Sequence, residues 1–144
     1  MIISIQKITA AQTYSIRLSV LRNKIALPHQ FEGDLDLNTF HLGAFVENKL
    51  VGIATFMQRD NPLLKGRQYQ LRGMATLPEF RAKGVGAKLI QTSIKILKEK
   101  NTELLWCNAR EVAYPFYKKQ GFVVLGKPYT INLIGLHYVM YKTV

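Results

Sequence analysis

The chain has 144 residues, 48% of them apolar, and 20 Lys and Arg stand against 9 Asp and Glu for a formal charge of +11. A chain of this length and apolar content buries about 68–70% of its unfolded surface in one compact domain, which excludes a disordered polypeptide. Its apolar runs stop short of the ~18 residues of a membrane span, the start has no leader pattern, and the lone Cys107 points to a reducing, cytoplasmic setting.

Residues 2–8 are predicted as a first strand, and Thr9 with Gln12 three positions on offers a capping box for a helix through about Arg22. From 23 to 38 the periodicity fades around Pro28 and Gly33, and Glu32, Asp34 and Asp36 gather in a predicted loop or short irregular helix. Residues 40–46 alternate, turn at Glu47-Asn48-Lys49 and return as the apolar run 50–57, which is a hairpin pattern. After a polar stretch, 68–77 supplies a third meander strand with Tyr69, Leu71, Gly73, Ala75 and Leu77 on one face. Past Pro78 the period becomes helical, with Lys88, Gln91, Thr92, Lys95, Lys98 and Glu99 forming one polar side. Residues 104–107 read as a short buried strand, 112–120 as a short helix ended by Gly121, and 122–125 and 134–141 as the last strands. This order predicts one α+β domain over residues 1–144.

The excess of basic residues favours anionic partners, and much of it is expected to be a solvated surface. The most informative stretch is 77–89, where a strand passes through Arg81-Ala82-Lys83-Gly84-Val85-Gly86-Ala87-Lys88 into a helix. A turn there aims the helix's first free N–H groups at one point, where its dipole also favours negative charge. Gly84 and Gly86 let an oxyanion approach the backbone, and Arg81, Lys83 and Lys88 add charge. Two other phosphate loops fit poorly: Gly86-Ala87-Lys88 fails the P-loop pattern, and Leu89 stands where a dinucleotide fingerprint needs its third glycine. The plainer alternative is a tight strand-to-helix turn.

Arg81-Ala-Lys-Gly84-Val-Gly86 resembles the Q/R-x-x-G-x-G/A signature of the GNAT superfamily of acyl-CoA-dependent N-acetyltransferases. Phe116-Tyr117-Lys-Lys-Gln-Gly121-Phe122 is similar to that family's F-Y-x-x-x-G-F segment, and the element order matches over nearly the whole chain. The resemblance implies a mixed, mostly antiparallel sheet of six to seven strands, with helices on both faces and splayed central strands. It also implies acetyl-CoA as acyl donor and no metal. Its pyrophosphate would rest on amides of Ala82, Lys83, Gly84, Val85, Gly86 and Ala87 beside Arg81 and Lys83. Met74, Ala75 and Thr76 would pair with the pantetheine arm, one amide polarising the thioester carbonyl. Asn108 and Tyr114 would border the same cleft, and Tyr117 would be the general acid that protonates the departing thiolate. The implied activity is acetyl transfer to a primary amine by direct attack in a ternary complex. The alternative is a non-catalytic module of the same fold that senses acyl-CoA or binds a protein. Homodimer formation is compatible with either; membrane association is not expected, and nucleic-acid binding lacks an aromatic platform or base-reading helix.

The sequence departs from the family at two points. The strand before the signature offers Gln70 and Arg72 where many members carry an acidic base, so Glu79, Glu111, Glu32, Asp36, His29, His41 and a water chain all stay open as proton acceptors. Arg110 occupies the place, seven residues before Tyr117, where the family often has Asn. The acidic trio Glu32, Asp34 and Asp36 would draw a cationic acceptor such as a polyamine, an aminoglycoside or a peptide lysine, unless it is only a solvated loop. His29, His41 and His137 are too dispersed for a metal site, and Cys107 beside Trp106 reads as a core residue.

Overall fold

The computed structural model describes residues 1–144. Strands β1 (Ser4–Ile8), β2 (Phe40–Val46), β3 (Lys49–Met57), β4 (Gln68–Thr76), β5 (Leu104–Arg110), β6 (Val123–Ile131) and β7 (Gly135–Thr143) form one sheet in the order β1-β2-β3-β4-β5-β7-β6. β4 and β5 run parallel, and every other neighbouring pair is antiparallel. Helices α1 (Ala10–Ile16), α2 (Val85–Glu99) and α3 (Tyr114–Lys119) complete the fold.

Each face is covered for a reason visible in the chain. Val85, Leu89, Ile90 and Leu97 of α2 pack on Leu42, Ala44, Val51, Leu71, Leu105 and Met140 in the main core. Burying such aliphatic side chains contributes about 1.5–3 kcal/mol each. Across the sheet, Ile16 of α1 meets Ile53 and Ala75 in a smaller cluster. The predicted capping box is present: Thr9 Oγ1 accepts from Gln12 N–H at 3.3 Å, and Gln12 Oε1 accepts from Thr9 N–H at 2.8 Å.

Three departures from the sequence-based expectation matter for the site. The helix predicted through Arg22 changes after Ile16 into a wider π-turn, Arg17–Leu21, closed by Arg22 N–H donating to Arg17 O at 3.0 Å. β5 extends to Arg110. β6 runs to Ile131, beyond the predicted 122–125, because it is an edge strand that tolerates Pro128 at a break in register between Leu125 and Tyr129.

The central strands separate. Pairing between β4 and β5 runs from Gln68 opposite Leu104 to Leu71 opposite Cys107 and stops there. β4 also carries one extra residue against β3, since Ile53 faces Ala75 while Thr55 faces Arg72. The bulge lies at Gly73, whose φ is +60°, a value an L side chain adopts only with strain. A bulge bends its strand and increases the local twist, which turns residues 72–76 away from β5.

Candidate active site

The larger of two adjoining spaces is built mainly from backbone. Gly84 caps α2 with φ +86°, and the first i to i−4 bond of the helix is Lys88 N–H to Gly84 O at 3.1 Å. The N–H groups of Val85, Gly86 and Ala87 therefore have no acceptor within the helix. Ala82 is held at φ +58°, which costs a non-glycine residue roughly 1–2 kcal/mol and gives the turn the alternating conformation of an anion-binding nest. Gly86 has a different reason to lack a side chain: a Cβ there would lie 2.9 Å from Phe116 Cζ. Leu77 N–H donates to Val51 O at 2.8 Å, so alternation along β4 turns the main-chain groups of Thr76 and Met74 away from β3 toward the gap. A cleft of about 820 Å³ runs along these groups, from Met74 to Ala87 and across to Val112 and Phe116.

The smaller space is built from side chains. Period-two alternation and the registers Gln70 with Trp106 and Arg110 with His137 put Gln70, Arg72, Asn108, Arg110 and His137 on one face of the sheet. With Arg22, Phe31 and Tyr117 they line a cavity of about 180 Å³ that contains no carboxylate. Leu21, Met74, Arg110 and Ala113 line both spaces, so the two meet at Met74 and Arg110. Arg17, Arg22 and Arg72 stack on the Phe31 ring, with Cζ at 3.8, 5.5 and 4.5 Å from its centroid. Burial lowers the pKa of Arg22, Arg72 and Arg110; neighbouring guanidiniums lower Arg22 and Arg72 further, while Tyr117 opposes the shift of Arg110. At an effective dielectric of ~20, a second positive charge ~8 Å from one guanidinium costs about 2 kcal/mol. The cavity disfavours an ammonium ion.

A buried network positions Phe31. Arg17, fully buried, donates through Nη1 to Asp34 Oδ2 (2.7 Å) and His29 O (2.9 Å), and through Nη2 to Asp34 Oδ1 (2.9 Å) and Thr55 Oγ1 (2.8 Å). Phe31 N–H donates to Asp34 Oδ2 at 2.8 Å. Burial raises the Asp34 pKa, but the bonds from Arg17 and Phe31 outweigh it and hold the carboxyl below its ordinary value. His41 lies 3.0 Å from Asp34 O through Nε2 and 2.7 Å from Thr55 Oγ1 through Nδ1. A carbonyl only accepts, so Nε2 carries the proton and the threonine hydroxyl donates to Nδ1. Burial lowers the His41 pKa against the opposing pull of Asp34, which matches a neutral ring.

Met74, Ala75, Thr76, Arg81, Ala82, Gly84, Val85, Gly86 and Ala87 line the larger cleft. Asn108 and Tyr117 line the smaller cavity. Lys83 and Tyr114 line neither: Lys83 is exposed on the turn, and the Tyr114 ring is tilted against Tyr138 at 5.1 Å. The acidic trio does not form a cation-binding surface, because Asp34 is consumed by Arg17 while Glu32 and Asp36 point to solvent. None of Glu79, Glu111, Glu32, Asp36, His29 and His41 lines either space. Burial pushes the Cys107 thiol far up, consistent with a core residue. Burial also raises the Tyr117 phenol well above its ordinary value, as does Cys107, against an opposing effect of Arg110. His137 enters the cavity without having been singled out by the sequence. Its Nδ1 lies 2.8 Å from Gly135 O and donates there, so in the neutral ring Nε2 is the acceptor nitrogen.

A family model described as the acetyltransferase (GNAT) family matches residues 8–122. An uncharacterised N-acetyltransferase of Bacillus subtilis, YitI, is 38% identical over 148 residues, covering 98% of this chain and 96% of the relative. Among solved structures, Escherichia coli ElaA superposes with a TM-score of 0.79 at 17% identity over 98% of this chain and 99% of its own. A GNAT family acetyltransferase of Elizabethkingia anophelis with acetyl-CoA bound gives a TM-score of 0.72 at 17% identity, covering 99% and 98%. No helix is long and apolar enough to cross a membrane. On the family match and the relative's identity over nearly its whole length, the chain belongs to the GNAT acetyltransferase family and is an acyltransferase.

Proposed function

We propose that the chain transfers the acetyl group of acetyl-CoA to a primary amine by direct attack in a ternary complex, with Tyr117 as general acid and His137 as proton acceptor. The observation that carries this reading is the gap between β4 and β5, with the unpaired amides at the start of α2 along the larger cleft and Tyr117 and His137 on the lining of the smaller cavity that joins it. Supporting fit comes from the unpaired N–H groups of residues 85–87, the close approach of Phe116 that Gly86 permits, and the absence of any carboxylate along either lining.

Bound acetyl-CoA supplies the acetyl group as a thioester, and attack by the amine nitrogen forms the amide while the carbon–sulfur bond breaks. The amides of residues 82–87, with Arg81, hold the diphosphate. The open edge of β4 at Met74 and Thr76 orients the pantetheine arm and offers an N–H to the developing oxyanion. His137 Nε2 takes the proton lost by the amine. Tyr117 keeps its proton through neutral pH because burial raises its pKa, so it donates to the departing sulfur. The guanidinium of Arg110 stabilises the phenolate when the proton passes across completely.

Release of CoA thiol from acetyl-CoA in the presence of an amine panel tests the reading. Tyr117→Phe is expected to cut turnover about 10²–10⁴-fold with little change in acetyl-CoA affinity. Unchanged turnover removes the role of Tyr117. Tight acetyl-CoA binding without thiol release across the panel favours the sensing module instead.

A further inference from the structure

The cavity beside Tyr117 has three guanidiniums and one imidazole on its walls and no acid. The molecule's two ion pairs are Arg17 with Asp34 and Arg67 with Glu103, so Arg22, Arg72 and Arg110 have no carboxylate counter-ion. Arg22 and Arg110 are partly engaged, since Arg22 donates to Pro28 O and Leu21 O, and Arg110 Nη2 donates to Leu21 O at 3.2 Å. Arg72 is held by its stack on Phe31, which leaves its N–H groups to the cavity. Asp34 is the one acid whose charge acts on Arg72, and both of its oxygens are already bonded to Arg17.

Three guanidiniums facing one small space without an anion leave charge and donors unmatched, and a site of this kind is completed by its ligand. The diphosphate of the donor does not fill the role, because the free amides of residues 85–87 line the other space, which shares with the cavity only the stretch at Leu21, Met74, Arg110 and Ala113. We propose that the cavity selects an amine acceptor that also carries a carboxylate or phosphate group, the anion lying against Arg72, Arg22 and Arg110 and the amine toward His137 and Tyr117. The inference rests on the acetyl-transfer reading and specifies its substrate class. It excludes polyamines and aminoglycosides as preferred acceptors, and it gives Arg72, which stands where a base was sought, a role in specificity.

The test uses the full-length protein saturated with CoA and titrated with matched pairs: N-acetylglycine against N-acetylglycinamide, N-acetyl-β-alanine against its amide, and O-phosphoethanolamine against ethanolamine, with spermidine as the cationic probe. Affinities and the Nε–Hε resonances of the arginines are read by NMR. The anionic member of at least one pair is expected to bind about tenfold or more tightly than its partner lacking the carboxylate or phosphate, with shifts at Arg22, Arg72 and Arg110. Arg72→Gln should erase most of that ratio and leave CoA affinity unchanged, and Arg22→Gln provides a second variant should the first fold poorly. A preference in the carboxylate pairs or in the phosphate pair identifies which anion the site takes. Equal binding within every pair, tighter binding of spermidine, or a ratio untouched by both variants overturns the proposal. Failure of the wild-type protein to bind CoA, with charge discrimination intact, overturns the acetyl-transfer reading alone.

Discussion

The two halves of the cleft are made of different material. The larger cleft depends on main-chain N–H groups at one helix start and on what Gly84 and Gly86 omit, all within a few consecutive residues. The smaller cavity depends on side chains delivered by the π-turn, the loop at Phe31, and β4, β5 and β7, more than a hundred residues apart in the sequence from Arg22 to His137. A backbone site tolerates change in most of its side chains and is sensitive to any added atom. A side-chain site is sensitive to charge and to whatever holds its walls in place.

The largest expected effect on the smaller cavity comes from its support. Asp34→Asn leaves the buried Arg17 guanidinium without its counter-charge, and urea denaturation should report a loss of about 3–5 kcal/mol. The folded fraction should keep its acetyl-CoA affinity, because Asp34 touches nothing in the larger cleft. A loss below about 1 kcal/mol would mean that the ion pair does not hold Phe31 in place.

The matching break in the larger cleft is Gly86→Ala. The new methyl would meet the Phe116 ring at 2.9 Å, and overpacking of this kind costs about 1–3 kcal/mol, so calorimetry should show acetyl-CoA binding weakened about tenfold or more. Binding of the small acceptor probes should change little. Equal losses in both would show that the halves are not separable.

The smallest effect is on pH dependence. The folded His41 pKa is lowered, so its contribution to stability is complete above the unfolded value near ~6.5 and is lost as pH falls through the folded value. Asp34 is also lowered, and its contribution persists until pH falls below ~3.9 and is then lost through its own folded value. Thermal melts should fall in two steps on acidification, and His41→Gln should remove the upper one. A single step below pH ~4 would leave His41 without this role.

The same contrast explains what the sequence made legible. The strands and helices at 40–57, 68–77 and 85–99 follow from local periodicity, and the glycine-bearing turn into α2 with its free N–H groups follows from consecutive residues. The π-turn, the bulge at Gly73 and the separation of β4 from β5 arise from competition between strands, which no window of consecutive residues contains. Arg72 was visible as the residue standing where an acid was expected, but its neighbours Arg22, Phe31 and Arg110 come together only after folding. Asp34 gave the opposite impression, since an acidic trio in sequence becomes one buried counter-ion and two solvated carboxylates in space. His137 was lost among scattered histidines because its register opposite Arg110 depends on where the hairpin of β6 and β7 turns.

The central claim is that the opening between β4 and β5 receives the donor, diphosphate at the start of α2 and thioester near Tyr117. Amide NMR during titration with acetyl-CoA tests it most directly. The account predicts saturating shifts at Met74, Thr76 and Gly84 to Ala87, together with the Tyr117 ring; saturable shifts confined to β1, β2 or the far end of α2, with these residues unmoved, would contradict it.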